Sequence, residues 1–248
     1  MKAVILAAGY ATRLYPLTIH IPKALLPVNN KAILDHLLEK VIELKELDDI
    51  YIVSNHRFFE PLSEWSLEAN ERYAPKRIYV LDDGSVSNET RRGAIGDIQF
   101  AIEKVNIDDD ILVCASDNLL SKTLAGFFED FRQHGKDLLL AGRIEDYEER
   151  KRYAILKTDE NGRITDFEEK PKEPKGDIAA FAEYIYRRDT VRLIGQYLRE
   201  GNNPDSPGHF PEWLYTRKEV RAYLYKGDCV DIGTLEKYAE IQKQYSVG

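Results

Sequence analysis

LAAGYATRLYPLTIHIPKALLPV, residues 6–28, is the stretch on which the reading of this chain turns. The run from residue 2 to residue 8 is largely apolar and ends at Gly9. That pattern predicts a strand buried on both faces in a parallel sheet. Ala7, Ala8 and Gly9 then make a turn of small residues. Small side chains let successive backbone amides close on an anion, so the turn can cradle phosphate oxygens. Arg13 follows Gly9 by four residues and Lys23 follows Arg13 by ten. Pro16 and Pro22 make the intervening segment a loop, which can carry both cations back to the turn. The stretch is not a P-loop, because GxxxxGK[ST] is absent. Nor is it a dinucleotide fingerprint, because Ala11 and Leu14 stand where the second and third glycines belong.

Outward from this stretch, strand and helix patterns alternate. Apolar residues at 33, 34, 37, 38, 41, 42 and 44 have helical spacing, with Asp35, Glu39, Lys40 and Glu43 on the other side. DIYIVS (49–54), RIYVLD (77–82) and DILVCAS (110–116) read as strands. Helical stripes run from Ile95 to Val105 and from Leu124 to Phe131. The alternation predicts an α/β fold: a Rossmann-like three-layer arrangement with a mixed, mainly parallel sheet and helices on both faces. The second half changes character. LLLAGRI (138–144), YAILKT (153–158) and RITDFEE (163–169) alternate more, and DENG (159–162) joins the last two, which predicts antiparallel pairing. A helix is expected near 189–199, a loop at 201–208, a strand over 220–227 and a closing helix over 234–244. We read one domain made of two halves, residues 1–135 and 136–248.

Bulk properties narrow the function. The chain has 248 residues, is 43% hydrophobic and 31% charged, and carries a net charge of −8. That length suits one large α/β domain. The acidic balance disfavours nucleic acid as a partner, so any phosphate must be held by a few placed cations. Cys114 lies in an apolar run and reads as a buried free thiol. Neither it nor Cys229 has a CxxC partner, and the five histidines have no metal-ligand spacing. The apolar N-terminus is far shorter than the about 20 residues that span a membrane and has no secretion-signal core, so we expect no membrane partner and a cytoplasmic protein.

The ordered set Thr12-Arg13-Leu14, Pro16-Leu17-Thr18 and Pro22-Lys23-Ala24-Leu25-Leu26-Pro27-Val28 resembles the signature of the sugar nucleotidyltransferases, the nucleoside-diphosphate-sugar pyrophosphorylases. The resemblance covers nearly the whole chain. The family has a second glycine where Ala11 stands, and Ala11 disfavours backbone angles that glycine reaches easily. Gly93-Ala94-Ile95-Gly96-Asp97 matches a segment that helps to hold the base. Asp117, in Ala115-Ser116-Asp117-Asn118, matches a magnesium ligand, and it ends a buried strand where α/β sheets place their chemistry. Glu168-Glu169-Lys170-Pro171 resembles an element whose glutamate contacts sugar hydroxyls and whose lysine contacts the sugar phosphate. Asp231, in Val230-Asp231-Ile232-Gly233-Thr234, matches the second magnesium ligand.

The resemblance implies an Mg²⁺-dependent nucleotidyltransferase that couples a nucleoside triphosphate to a sugar 1-phosphate or similar alcohol phosphate. Arg13 and Lys23 are then the catalytic cations. Leu6, Ala7, Ala8, Gly9, Asn55, Gly93 and Ala94 bind the nucleotide, and Asn118, Glu169, Lys170 and Glu183 the acceptor. Asp117 and Asp231 hold the metal. Magnesium suits such a site, since it takes one or two carboxylates and completes its shell with substrate phosphates. Two departures fall on the acceptor side: Ala154 follows Tyr153 where the family often has glycine, and Glu183 replaces glycine in Phe181–Tyr186. Assembly into a homo-oligomer is left open. Two other readings are a non-catalytic relative that binds nucleotide sugars and a metal-dependent glycosyltransferase. The latter's Asp-x-Asp motif would have to be Asp108-Asp109-Asp110, which precedes a strand and reads better as a turn.

Overall fold

In a computed structural model that describes residues 1–246, the chain opens with β1 (Lys2–Leu6). A loop with two short 3-10 turns leads to the small ladder β2 (Pro27–Val28) and β3 (Lys31–Ala32), then to α1 (Ile33–Val41). The first half continues with β4 (Asp49–Ser54), α2 (Phe59–Arg72), β5 (Arg77–Asp82), α3 (Ala94–Lys104), β6 (Ile111–Ala115), β7 (Asn118–Leu120) and α4 (Ala125–His134). The second half holds β8 (Asp137–Arg143), α5 (Tyr147–Arg150), β9 (Ala154–Thr158), β10 (Ile164–Glu168), β11 (Ile178–Tyr186), α6 (Arg188–Arg199), α7 (His209–Leu214), β12 (Val220–Leu224), β13 (Cys229–Asp231) and α8 (Leu235–Ser246).

One nine-stranded sheet joins both halves. Its main path runs β10-β9-β11-β6-β1-β4-β5, with β8 and β12 added through β11. The pairs among β6, β1, β4 and β5 are parallel, as the alternating strands and helices of the first half require. The antiparallel pairs all lie in the second half or at its junction, on β11. Residues 178–180 of β11 pair with β9 on one edge and β8 on the other, while 184 and 185 pair with β6 and β8. One long strand thus welds the two halves.

The pleat of β1 explains the three layers. Ala3 and Ile5 join a core with α1, α2 and α4 (Leu34, Leu38, Leu62, Phe127). Val4, between them, joins the opposite core with α3 and α6 (Ile98, Ala101, Val191, Ile194). Each such buried Leu, Ile or Phe contributes roughly 1.5–3 kcal/mol. A third, smaller cluster (Leu14, Leu26, Val28, Leu119, Ile232 and Ile241) pins the loop after β1 to β7, the chain after β13, and α8. Residues 55–76, for which the sequence reading offers no element, contain α2. Its apolar stripe (Leu62, Ser66, Ala69) is short and interrupted by a serine. Among the described residues no helix is long and apolar enough to cross a membrane.

Candidate active site

The carboxyl ends of β1 and β6 lie side by side, with Leu6 opposite Ala115. Ser116 donates its backbone N–H to the Leu6 carbonyl at 3.2 Å, and Ala7 donates to the Val53 carbonyl at 2.9 Å. The small-residue turn is therefore held from both sides. Ala11 takes the left-handed conformation (φ 46°, ψ 40°). Alanine pays about 1 kcal/mol there relative to glycine. The strain is held by the buried Thr18, whose hydroxyl donates to the Ala11 carbonyl at 2.8 Å. Leu14 is buried in the third core cluster, which leaves its neighbour Arg13 facing the cleft.

Leu6, Ala7, Gly9, Arg13 and Lys23 line this first cleft, together with Ser116, Asp117 and Gly233. Lys23 stands at its floor. Its Nζ is 2.5 Å from Asp117 Oδ2 and 3.4 Å from Asp231 Oδ1, so the lysine bridges both carboxylates. The pairing of β7 with β13 is what unites those aspartates. Asn118 lies opposite Asp231, and Ile232 N–H donates to the Asp117 carbonyl at 3.2 Å. Burial, and then the charge of Asp117, pushes the Asp231 carboxyl up. Lys23 and Arg152 oppose that shift, the latter with Nη2 3.7 Å from Asp231 Oδ2. Among the described residues no group of three or more His, Cys, Asp or Glu is placed to hold a metal ion by itself. Two facing carboxylates suit a hard cation that draws the rest of its shell from water and substrate phosphates, so the donor set fits magnesium.

A second cavity shares Asp117 with the first cleft and runs past Asp231, Asn118, Arg152 and Tyr153 to Glu169 and Lys170. Lys170 has φ 48°, a left-handed turn at the end of β10. Its Nζ donates to Ser206 Oγ at 2.6 Å and lies 3.6 Å from Glu169 Oε1. Burial pushes the Glu169 carboxyl up, and Lys170 counters that. Gly208 passes so close that an added methyl would lie 1.9 Å from Glu169 Oε2.

Several expected contacts fall elsewhere. Glu183 does not line the second cavity. It is fully buried, and its neighbours Ala182 and Tyr184 face the cavity instead, because side chains alternate along β11. Its Oε1 accepts from Asn118 Nδ2 at 2.9 Å, while Oε2 has no hydrogen-bond partner among the described residues. Burial first, and then nearby Asp117, pushes its carboxyl up to about 8. Glu183 is thus a buried support beneath Asn118. Asn55 is also fully buried, behind the small-residue turn. It donates to the Ala8 carbonyl at 2.9 Å and accepts from Phe58 N–H at 3.0 Å, while the Ala8 side chain packs into the core. Gly93 (φ 79°) and Ala94 pack against the loop at Pro204 and Asp205, to whose carbonyl Ala94 N–H donates at 3.2 Å.

Sequence reasoning missed Arg152, Ser206 and Gly208, which have no periodic pattern or local motif to announce them. It also missed a buried group beside the turn. Tyr10 Oη donates to the Ser85 carbonyl at 3.0 Å, and Ser85 N–H donates to Asp83 Oδ1 at 2.7 Å. Cys114 is a buried free thiol, as its apolar run predicts.

Known proteins share this architecture. A UDP-glucose pyrophosphorylase structure complexed with UDP-glucose superposes with a TM-score of 0.84 at 22% identity, covering 99% of this chain and 98% of that one. A Bacillus anthracis protein provisionally named glucose-1-phosphate thymidylyltransferase, solved with sucrose, has a TM-score of 0.80 at 22% identity, covering 99% and 95%. At that identity the likeness speaks for the fold. A Sulfolobus acidocaldarius protein provisionally named mannose-1-phosphate guanyltransferase is 30% identical over 245 residues, which are 97% of this chain and 62% of that protein. The chain thus spans under two thirds of this curated relative's length. The Nucleotidyl transferase profile matches residues 2–247, the turn, both aspartates and both cavities included, and the chain belongs to that family.

Proposed function

We propose that this protein transfers a nucleoside monophosphate from a nucleoside triphosphate to a sugar 1-phosphate or similar alcohol phosphate, releasing pyrophosphate. The observation that carries the reading is the meeting of two cavities at Asp117. An in-line displacement needs its nucleophile and leaving group on opposite sides of one phosphorus. Two cavities with a common wall at Asp117 offer that arrangement. The relatives' names, which join a nucleotide to a hexose 1-phosphate, support the acceptor class.

An oxygen of the acceptor phosphate attacks the α-phosphorus, and the bond from that phosphorus to the bridging oxygen of the β-phosphate breaks. The attacking oxygen is already anionic, so no general base is required. The protein's part is to position the two phosphates and to oppose the charge that gathers between them. The turn at Gly9 holds the triphosphate, and Arg13 grips it with a planar fork. Lys23 sits at the carboxylate pair, where the α-phosphoryl group must pass. Glu169, Lys170 and Asn118 hold the acceptor. Magnesium on Asp117 and Asp231 would neutralise phosphate charge.

The glycosyltransferase reading finds no site at Asp108–Asp110. These residues lie before β6, at the end opposite Asp117, and pair with Arg187, Arg188, Arg192 and the N-terminal amine. A pyrophosphate-release assay with magnesium, each nucleoside triphosphate and a panel of sugar 1-phosphates tests the proposal. Turnover is expected with at least one pair, falling roughly 100-fold or more in Asp117→Ala. Silence across the panel, or full activity of Asp117→Ala, refutes it.

A further inference from the structure

We infer that Arg152 is a phosphate-binding residue for the acceptor, holding its phosphate at the point where the second cavity opens into the nucleotide cleft. The inference rests on the proposed reaction and assigns a role within it. A phosphate monoester carries nearly two negative charges at neutral pH. The cavity that must receive it is lined by three carboxylates (Asp117, Asp231 and Glu169) and by only two cations, Arg152 and Lys170, among the described residues. Lys170 is already engaged with Ser206 and Glu169, toward the Gly208 end. Lys23 is taken up by Asp117 and Asp231, so without Arg152 a dianion would meet only one shared ammonium, that of Lys170.

Arg152 stands at the other end. Its Nη2 is 3.7 Å from Asp231 Oδ2, beyond a hydrogen bond, and its guanidinium makes no side-chain hydrogen bond among the described residues. The backbone is fixed, because Arg152 N–H donates to the Glu149 carbonyl at 3.0 Å and the chain then enters β9. The side chain is 44% exposed, so its five donors are uncommitted. Gly233 shows how near it is to the nucleotide. A methyl there would lie 2.8 Å from Arg152 Nη2 and 3.6 Å from Arg13 Nη1. The guanidinium of the nucleotide cleft and that of the acceptor cavity therefore approach the same residue. The attacking oxygen must come within about 3–3.5 Å of the α-phosphorus. The acceptor's phosphate, not its sugar ring, has to occupy this end, and a planar fork matches two phosphate oxygens at once. Gly233 stays without a side chain because the two cations and Asp231 converge there.

The test compares the wild type with Arg152→Ala and Arg152→Lys, each first checked for an unchanged melting temperature. In the pyrophosphate-release assay, Arg152→Ala should raise the acceptor KM at least about tenfold and leave the nucleotide KM within about twofold. Arg152→Lys should fall between, since an ammonium keeps the charge and loses the fork. Calorimetric titration of the protein with inorganic phosphate gives a second reading that needs no turnover: Arg152→Ala should bind it at least about tenfold more weakly. The inference is overturned if phosphate affinity and acceptor KM match the wild type. It is also overturned if both substrates' KM values rise together, because Arg152 would then act only through Asp231. A silent wild type would refute the proposed reaction, and phosphate titration would still decide the role of Arg152.

Discussion

Asp97 should make this protein less stable as pH rises through the neutral range. It sits in the first turn of α3, only 6% exposed, and its Oδ1 has no hydrogen-bond partner among the described residues. Burial first, and then the charge of the facing Asp83 carboxylate, pushes its carboxyl up to about 8. Asp83 in turn holds Ser85, whose carbonyl accepts from Tyr10 beside the phosphate turn. From an unfolded value of 3.8 up to about 8, the folded chain therefore holds one proton that the unfolded chain has released. Stability from this group is full below the unfolded value and declines as pH climbs through the folded one. About 1.36 kcal/mol per unit over the roughly four units between them gives a ceiling on the order of 6 kcal/mol. Relaxation and water penetration around a buried carboxylate should reduce this to about 2–3 kcal/mol. Asp97→Asn keeps the shape, offers Asp83 an N–H donor and cannot titrate. Urea unfolding at several pH values between about 5 and 9 should show the variant's advantage growing with pH, to about 2–3 kcal/mol at the alkaline end. Other carboxylates titrate alike in both proteins and cancel in the difference. Parallel stability curves, or a variant less stable than the wild type at alkaline pH, would refute the reasoning.

Gly208→Ala places a methyl 1.9 Å from Glu169 Oε2 and should displace that carboxylate. The acceptor KM should rise about tenfold with the nucleotide KM unaffected, and steady-state kinetics showing neither change would count against Glu169 as an acceptor contact. Gly93→Ala combines φ +79° with a methyl 2.6 Å from the Pro204 carbonyl oxygen. It should cost roughly 2–4 kcal/mol in denaturant unfolding, and a loss under about 0.5 kcal/mol would mean that the 204–205 loop gives way freely. Asn55→Ala removes the bonds to Ala8 and Phe58. Chemical denaturation should show a loss of about 1–3 kcal/mol, together with a raised nucleotide KM, because the phosphate turn loses its support.

What the sequence by itself determined is local. β4 and β5 have the boundaries that their apolar runs predict, and α3 and α6 begin within a residue of theirs. Side-chain periodicity is a property of a few neighbouring residues, so it survives without knowledge of the fold. The stretch 6–28 carried the small-residue turn and both cations of the first cleft for the same reason: buried strand, small turn and proline-bounded loop are each encoded in place. Tertiary structure alone decided what meets what. Asp117 and Asp231 are far apart in the chain and face each other only because β13 pairs with β7. Glu183 and Asn55 are chemically apt ligands that the packing turns inward, one by the alternation of β11 and one by capping the turn before α2. Arg152 carries no local signal, and only the junction of two cavities shows its place. A side chain's neighbours come from chain segments that no local pattern ties together, and the energy that selects them is that of the whole packed core.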